Sequence, residues 1–443
     1  MRVKTECFVF SIFFQIFLIG LYISIVLLNK ASQKAIPVDV VQENTEWKTN
    51  KEQSRNTSTN YVHQTLHSNG VFRQLSQDVF VYSVYYDDRN GRHIRLVGIV
   101  QDDDYGGHGH FVCLFNGIEV NATFYKTPES HALQYAACLI TCEIPSSVNK
   151  ESLEDGLKLE NDQRDIIAFP VKNIHHDIAL HTPKKPRFAV CVPPLFGTVS
   201  AKDIQEFIEA TKLLGADSFM FYDHALNQEV KQLFKSYAKS QDVTNVRVKP
   251  WEHNFTDSQL WYYGQTASLW DCMFTNMYSA DWIAFNDIDE YIVPRNAHDW
   301  QDMLNEILVE NIHEIAALEF PSYLFILKDK QHDTTTNMSK YLPFSSFIRS
   351  GFADYTRTKM MIVPKKVIEP QIHRLGKALD QNFKAVKVNE TIAAVNHYRQ
   401  KEEISLHMHR LRLKHKNTKL VEDNVMLKYW NEFKANIDKQ TVK

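Results

Sequence analysis

The alternation of two residue patterns in the second half of the chain limits its fold most. From residue 186, short runs rich in apolar and β-branched residues, such as "RFAVCVPPLF" and "DSFMFYD", alternate with amphipathic stretches of helical period, such as "SAKDIQEFIEATKLLGA". Strands that alternate with helices form a mostly parallel sheet flanked by helices. The sequence therefore predicts an α/β domain over 186–443, and ligands of such sheets bind beyond the carboxyl ends of the strands.

A cluster of carboxylates follows one of these predicted strands. In "DWIAFNDIDEYIVP" the apolar run ends directly before Asp287, Asp289 and Glu290. Side chains alternate along an extended strand, so we expect Asp287 and Asp289 to point the same way. Their repulsion must be offset by positive charge, and two carboxylates suit a cation of the magnesium or manganese type. The alternative is an Asp-rich turn without a ligand.

The beginning of the chain predicts a membrane anchor. The segment "CFVFSIFFQIFLIGLYISIVLL" carries no charge, is longer than the apolar core of a cleaved signal peptide, and is long enough to cross a bilayer. We predict a cytosolic tail over 1–7, a transmembrane signal anchor over 8–28 and a polar stem over 29–70. Basic residues flank the anchor on both sides, so charge alone does not decide its orientation.

N-glycosylation triplets indicate the orientation instead. All of them follow the anchor, and they stand at Asn56, Asn121, Asn254, Asn337 and Asn389. Because this modification belongs to secreted and lumenal chains, the triplets predict a lumenal body. The 50 Lys and Arg residues nearly balance the 53 Asp and Glu residues, which gives no reason to expect a nucleic-acid partner.

Five of the six cysteines fall in this predicted lumenal body: Cys113, Cys138, Cys142, Cys191 and Cys272. An oxidising compartment favours disulfides, and an odd number requires at least one unpaired thiol or an intermolecular bridge. The spacing of Cys138 and Cys142 also suits zinc, but no second Cys or His pair stands at a matching interval, so we favour disulfides.

A small all-β module is predicted between the stem and the α/β domain. Residues 71–148 contain short alternating runs, such as "DVFVYSVYYDD" and "IRLVGIV", separated by turn signals. A charged connector over 149–185 follows it.

The chemistry of the carboxylate cluster narrows the substrate. The chain has no phosphate-binding P-loop, and its first α/β strand ends in "VPPLFGT", without the glycine fingerprint of dinucleotide folds. A cation held by two carboxylates suits a diphosphate whose departure must be stabilised. Together with an anchor, a stem and a lumenal body, this favours a nucleotide-sugar as the donor substrate.

The stretch "GQTASLWDCMFTNMYSADWIAFNDIDEYIVP", with "VCVPPLFG", "RTKMMIVPKKV" and "NHYR", resembles glycosyltransferase family 92 over about residues 187–429. The resemblance implies a GT-A fold, a divalent metal such as Mn²⁺, and transfer of galactose from UDP-galactose, with relatives that form a β1,4 link to core fucose of N-glycans. It also implies that Asp287 and Asp289 are the pair that binds metal and diphosphate.

Other side chains are candidates for the same site. His397 in "NHYR" is either a third metal ligand or a core histidine. His373 is the competing candidate for the third metal ligand. Arg357 and Lys359 share a strand face from which they reach the diphosphate or face solvent. Donor recognition is expected from Asp223, at a strand end, and from Gln265, on the helix before the metal strand. Asp271 and Trp270 lie on that helix, where Trp270 is expected in the core.

An inverting transfer needs a carboxylate that takes the proton of the acceptor hydroxyl. Asp354 and Glu319 are the candidates for this base, whereas a retaining transfer would not need one. The predicted protein is thus a single-pass type II Golgi membrane enzyme that glycosylates a glycan or glycoprotein. The alternatives are an inactive glycan-binding adhesion ectodomain and a metal-dependent phosphodiesterase.

Overall fold

The computed structural model describes seven stretches of the chain: 70–102, 109–174, 186–239, 245–308, 312–327, 338–400 and 419–441. The predicted tail, the predicted anchor, residues 29–69 of the stem, Asn56 and Asn337 lie outside these stretches. Within them, no helix has the length and apolar character that a bilayer span requires. The described residues all belong to one compact unit, Tyr61–Lys443.

The described residues between 70 and 174 form a β-rich module of two sheets. Its strands are β1 (Arg73–Gln74), β2 (Val79–Asp87), β3 (His93–Gln101), β4 (Val112–Phe115), β5 (Ile118–Asn121), β6 (Thr123–Lys126), β7 (Tyr135–Glu143), β8 (Leu157–Glu160), β9 (Ile166–Phe169) and β10 (Val171–Lys172). One sheet has the order β1-β2-β3-β7-β6, with β10 beside β2, and the other has the order β5-β4-β8-β9. Strands β8, β9 and β10 lie in the segment predicted as a connector, so the described part of that segment, 149–174, packs with the module.

Two disulfides and one buried thiol confirm the expected cysteine chemistry. Cys113 and Cys142 join the two sheets of the module, and Cys191 and Cys272 form the second bridge. Cys138 is buried and unpaired, as the odd number of cysteines requires.

The α/β domain follows the predicted alternation in its first half. Its helices are α1 (Ala201–Leu214), α2 (Gln228–Lys239), α3 (Gln265–Asn276), α4 (Trp300–Ile307) and α5 (Trp430–Thr441). Its strands are β11 (Phe188–Leu195), β12 (Ser218–Asp223), β13 (Asn245–Pro250), β14 (Trp282–Phe285), β15 (Glu290–Pro294), β16 (Ile315–Leu327), β17 (Ile348–Ser350), β18 (Asp354–Ile362), β19 (Val367–Pro370), β20 (Leu375–Ala378), β21 (Lys384–Lys387), β22 (Ala393–Gln400) and β23 (Leu420–Glu422).

Local sequence signals set the ends of α1. The Ser200 side chain accepts a hydrogen bond from the Asp203 amide, and the Asp203 carboxylate binds back to Ser200, which is a capping box. Gly215 ends the helix at φ 121°, where an added Cβ would come within 3.2 Å of Trp300. Only glycine adopts that conformation without strain.

The large sheet is mixed rather than mostly parallel. Strands β13, β12, β11 and β14 are parallel neighbours in that order, and β18, β16, β17 and β23 continue the sheet through antiparallel pairs. Strands β21 and β22 pair with β16 in parallel, and β15 pairs with β22. The prediction of a mostly parallel sheet therefore holds for the first four strands and for the pairs of β16 with β21 and β22, whereas the other described pairs are antiparallel.

Helix α3 lies between the large sheet and the β-module. Nearly all of its residues are buried, including Trp270 and Asp271. Its apolar side chains share one hydrophobic cluster with Ile283 of the sheet and with Tyr85 and Ile99 of the module. The module thus covers one face of the α/β domain, whereas α1 and α2 pack in the cluster on its other face.

Asp87 and Arg89 form a charged link across this interface. Asp87 is 1 % exposed, and it binds Arg89 at 2.8 Å and Arg95 at 3.1 Å. Arg89 also donates to the carbonyl oxygens of Pro364 and Val367, at 2.6 and 2.5 Å. Burial alone would raise the pKa of Asp87, but the two guanidinium groups outweigh it and lower the pKa to about 2.

This pKa predicts a specific loss of stability in acid. The folded-state pKa of Asp87 lies below the unfolded value, so the carboxylate stabilises the fold above about pH 4, and that contribution is lost as the pH falls towards 2. We expect the group to account for about 2 kcal/mol of the unfolding free energy. Denaturant unfolding at pH 3 to 7 should show a shallower acid slope for Asp87→Asn than for wild type. The exposed Asp155→Asn variant should keep the wild-type slope.

Candidate active site

The carboxyl ends of the parallel strands meet at one edge of the sheet. Strands β12 and β14 lie on opposite sides of β11, so the strand order reverses between β11 and β14. Such a reversal opens a crevice in which α/β sheets bind ligands. Asp287 and Asp289 follow β14 directly and lie at this crevice.

The two aspartates stand on a turn, not on an extended strand. The Glu290 amide donates to the Asp287 carbonyl at 3.1 Å, and the Asn286 side chain donates to the Glu290 carbonyl at 3.0 Å. The expected strand alternation of Asp287 and Asp289 is therefore wrong. The turn still leaves both carboxylates open, since the Asp287 side chain is 36 % exposed and the Asp289 side chain 28 %, whereas Glu290 is 4 % exposed.

Lys359 supplies much of the positive charge that the cluster requires. Its ammonium lies 2.8 Å from Asp287 Oδ2 and 2.7 Å from Glu290 Oε2, and the side chain is 3 % exposed. Burial works against the charged form, but Asp287 and Glu290 outweigh it and raise the pKa of Lys359. Lys359 therefore stays charged and supports the turn from within the protein.

His397 and Arg399 bind the cluster from strand β22. The register places His397 opposite Glu290, and His397 Nδ1 lies 3.1 Å from Glu290 Oε1. Arg399 Nε donates to His397 Nε2 at 2.6 Å and lies 3.6 Å from Asp289 Oδ2. Although burial raises it, Lys359 and His397 hold the pKa of Glu290 below its usual value. Nε2 of His397 can ligate a metal only if Arg399 moves away.

The donor set of this turn fits a hard divalent cation through two residues. Asp287 and Asp289 present carboxylate oxygens to solvent, and Mg²⁺-type cations bind through one or two carboxylates and take the remaining ligands from phosphate and water. The described residues contain no preformed group of three or more His, Cys, Asp or Glu side chains that could hold a metal. A third ligand from His397 stays a prediction.

The two candidates for the catalytic base are engaged in local structure. Asp354 begins β18, is 8 % exposed, and accepts hydrogen bonds from the amide and the hydroxyl of Thr356, at 2.8 and 2.6 Å. Glu319 is also 8 % exposed and accepts the Leu375 amide at 3.1 Å. A catalytic base among these two residues stays a prediction.

The remaining predicted residues lie around the same edge. Asp223 ends β12, where it accepts the Leu226 amide at 2.9 Å and pairs with Lys231 at 3.1 Å. Gln265 is buried in the first turn of α3, and Arg357 is exposed on β18. His373 Nδ1 lies 2.9 Å from the Thr358 carbonyl, and burial together with Lys359 lowers its pKa.

Trp270 and Asp271 lie in the interior, as expected for Trp270. The Trp270 indole donates to the Ile368 carbonyl at 2.8 Å. Asp271 is fully buried and binds Ser83 and Tyr85 of the module and Lys249 of the sheet.

Sequence reasoning missed a group of rings at the same edge. His224 and His253 stack at 4.6 Å, and Tyr263 lies 4.4 Å from His224. Tyr262 and Tyr263 have φ values of 40° and 51°, a left-handed conformation that is an outlier for bulky residues. The letters "WYYG" before α3 were the available signal, but positive φ at a tyrosine cannot be read from a sequence.

The model of glycosyltransferase family 92 matches residues 186–440 of this chain, which is more than half of it. The chain belongs to glycosyltransferase family 92. The resemblance inferred from the sequence motifs is thereby confirmed, and this family 92 chain is a glycosyltransferase at the level of its family.

Two curated relatives of this family 92 chain are named galactosyltransferases. The "Beta-1,4-galactosyltransferase galt-1" of Caenorhabditis elegans is 25 % identical over 350 residues, which cover 75 % of this chain and 76 % of the relative. The "Galactan beta-1,4-galactosyltransferase GALS1" of Arabidopsis thaliana is 23 % identical over 306 residues, which cover 66 % of this chain and 59 % of the plant protein.

Solved structures show only a low likeness to this family 92 chain. GalNAc-T7 with UDP, GalNAc and Mn²⁺ has a TM-score of 0.29 at 10 % identity and covers 49 % of this chain and 44 % of its own. Mycobacterium tuberculosis glucosyl-3-phosphoglycerate synthase with Mn²⁺, UDP-glucose and phosphoglyceric acid has a TM-score of 0.26 at 14 % identity and covers 50 % and 75 %. Scores this low decide nothing about the site.

Proposed function

We propose that the chain is a metal-dependent galactosyltransferase with a GT-A-type catalytic domain. It moves galactose from UDP-galactose onto a glycan of a glycoprotein, with inversion and a β1,4 link to fucose. The observation that carries the proposal is the pair of open carboxylates, Asp287 and Asp289, at the end of β14 beside the crevice between β11 and β14. Family membership and the printed names of the two relatives support it.

In this proposal, Asp287 and Asp289 hold Mn²⁺ against the diphosphate of the donor. When bound, the cation neutralises charge that develops on the departing UDP. The protein's own contribution is to fix the two carboxylates. The buried Lys359 ammonium binds Asp287 and Glu290. From β22, His397 contacts Glu290 and Arg399 contacts Asp289. This support keeps two neighbouring anions in place before any ligand binds.

Donor and acceptor occupy different sides of the carboxylates in this proposal. Asp223 and Gln265, at the β11 to β13 side of the edge, are proposed to meet the nucleotide, and Arg357 is proposed to meet the diphosphate. Asp354 and Glu319 stay the proposed alternatives for the base that accepts the proton of the attacking hydroxyl.

A lumenal location in the Golgi membrane is part of the proposal. The asparagines of three predicted glycosylation triplets, Asn121, Asn254 and Asn389, are exposed. Two disulfides within the described stretches suit an oxidising compartment. A single-pass type II anchor is proposed from the sequence of residues 8–28 alone.

The test is UDP release by the full-length chain, produced in a secretory host and purified in detergent. We expect turnover of UDP-galactose with a core-fucosylated N-glycan in Mn²⁺, abolition by EDTA, and recovery when Mn²⁺ is restored. Other UDP-sugars serve as donor controls. If UDP-sugars neither bind nor turn over, the transferase is rejected in favour of the adhesion ectodomain. If the nucleotide-sugar is hydrolysed without an acceptor, the protein is a phosphodiesterase. Donor binding without turnover would reject the proposed acceptor.

A further inference from the structure

Two strained loops meet at the edge of the sheet that carries the carboxylates. His131 and Ala132, in the β6–β7 loop of the module, have φ values of 56° and 55°, and Tyr262 and Tyr263 have φ values of 40° and 51°. Such a residue is strained and persists only where its surroundings hold it in place. Half of the positive-φ non-glycine residues in the described stretches thus lie in these two loops.

The two loops are joined by stacked rings. The His131 imidazole lies 3.8 Å from the Trp261 ring, with 16° between their planes. Tyr262 follows at 4.9 Å from Trp261 and is 45 % exposed, while His131 is also exposed. We name His131, Trp261 and Tyr262 the aromatic ridge. The ridge combines one ring from the β-module with two from the α/β domain.

The chain path places the aromatic ridge at the carboxylate edge. Strand β13 ends at that edge, the ridge residues Trp261 and Tyr262 follow it, and α3 then returns to the start of β14. The carbonyl of Tyr263 accepts hydrogen bonds from Trp251 and His253, at 2.7 and 3.0 Å, which fixes the turn. The ridge is therefore a rigid, partly exposed surface on the same side as Asp287 and Asp289.

Glu129 extends this surface towards the carboxylates. It lies in the same β6–β7 loop, and its Oε2 accepts the Ile372 amide at 3.0 Å. The next residue, His373, binds Thr358, which precedes Lys359 on β18. Burial of the Glu129 carboxylate raises its pKa, which makes it a stronger acceptor for a hydroxyl proton.

We propose that the aromatic ridge and Glu129 bind the sugar ring of the acceptor glycan, so that the β-module completes the acceptor side of the site. The inference rests on the proposed function. Exposed rings bind the apolar face of a sugar, and a carboxylate oxygen accepts hydrogen bonds from its hydroxyls. Glu129 reaches β18 through Ile372 and His373, whereas the ridge directly precedes Gln265, so the surface runs along the edge of the sheet from the proposed nucleotide residues towards β18.

Acceptor binding and donor binding are measured separately to test this. The variants are His131→Ala, Tyr262→Ala and Glu129→Gln, and the matched control is His110→Ala, an exposed histidine of the same module. Titration of the full-length chain with a core-fucosylated N-glycan and other neutral glycans gives acceptor affinity, and titration with UDP and Mn²⁺ gives donor affinity. We expect each of the three variants to bind glycan roughly five- to tenfold more weakly than the wild-type chain, as for the loss of one contact to the sugar. Their affinity for UDP should be unchanged.

Each other outcome overturns the assignment. If the variants bind UDP more weakly, the aromatic ridge binds the donor and not the acceptor. If their glycan and UDP affinities equal those of His110→Ala, the ridge binds neither ligand. Failure of the wild-type chain to bind any neutral glycan would also reject it. A different result would overturn the proposed transferase but support the ridge as a glycan-binding surface: the wild-type chain binds glycan but no UDP-sugar, and the ridge variants no longer bind glycan.

Discussion

Asp289→Asn is expected to lower turnover of UDP-galactose by roughly 10²- to 10³-fold, the range seen when one electrostatic contact to a developing charge is removed. The amide keeps the size of the side chain but removes the anionic oxygen that a hard cation prefers. Asp287→Asn is expected to have a similar effect on turnover. Because Asp289 is 28 % exposed, the fold should tolerate its replacement.

The measurement is initial-rate UDP release across Mn²⁺ concentrations, with thermal unfolding of each variant. Asp281→Asn is the control, because Asp281 lies just before β14, at the opposite end of the strand from the carboxylate turn, and is 40 % exposed. It should keep near-wild-type turnover. Asp289→Asn activity within threefold of wild type, at equal stability, would remove the carboxylate pair from the proposed chemistry.

Asp271→Ala is expected to cost about 3–5 kcal/mol of unfolding free energy, the range for breaking a buried ion pair on one side. Asp271 lies fully buried on α3, and its carboxylate binds the Lys249 ammonium at 2.6 Å. It also accepts hydrogen bonds from Ser83 at 2.6 Å, Tyr85 at 2.5 Å and Tyr222 at 2.7 Å. The variant leaves a buried cation and several hydroxyl groups without their acceptor.

Denaturant unfolding measures this cost, with Asp438→Ala as the helical control. Asp438 is 58 % exposed on α5 and pairs only with Lys434 among the described residues, so its loss should change stability by less than about 1 kcal/mol. Asp271→Asn separates charge from shape. A change below 1 kcal/mol for Asp271→Ala would show that the network between module and domain does not stabilise the fold.

Local signals in the sequence predicted the parts of this fold that depend on neighbouring residues. Helix α1 and the parallel strands up to β14 followed from hydrophobic period, and the capping residues Ser200 and Gly215 account for the ends of α1. The antiparallel second half did not, because pairings such as β15 with β22 join segments far apart in sequence. The hydrophobic period of a segment predicts that it forms a strand, but it does not show which distant strand the segment pairs with.

The site divides in the same way. Asp287 and Asp289 were recognisable because they follow an apolar strand. Their counter-ion Lys359 stands 72 positions after Asp287 in the sequence. The sequence predicted that Lys359 contacts the diphosphate or solvent, whereas the structure buries it against the carboxylates themselves. The burial of Asp271 was also hidden, since its partners come from three other segments of the chain, one of them in the module.

The position of α3 has a consequence for how such chains can be recombined in evolution. The family match begins at residue 186, yet α3 packs against Tyr85 and Ile99, which lie before that boundary. The bounds of the family model and the bounds of the folding unit therefore do not coincide. A catalytic segment moved to a new chain without its module would carry half of an apolar interface. A change in the volume of a side chain on one side of this surface therefore has to be accommodated by the side chains it packs against on the other.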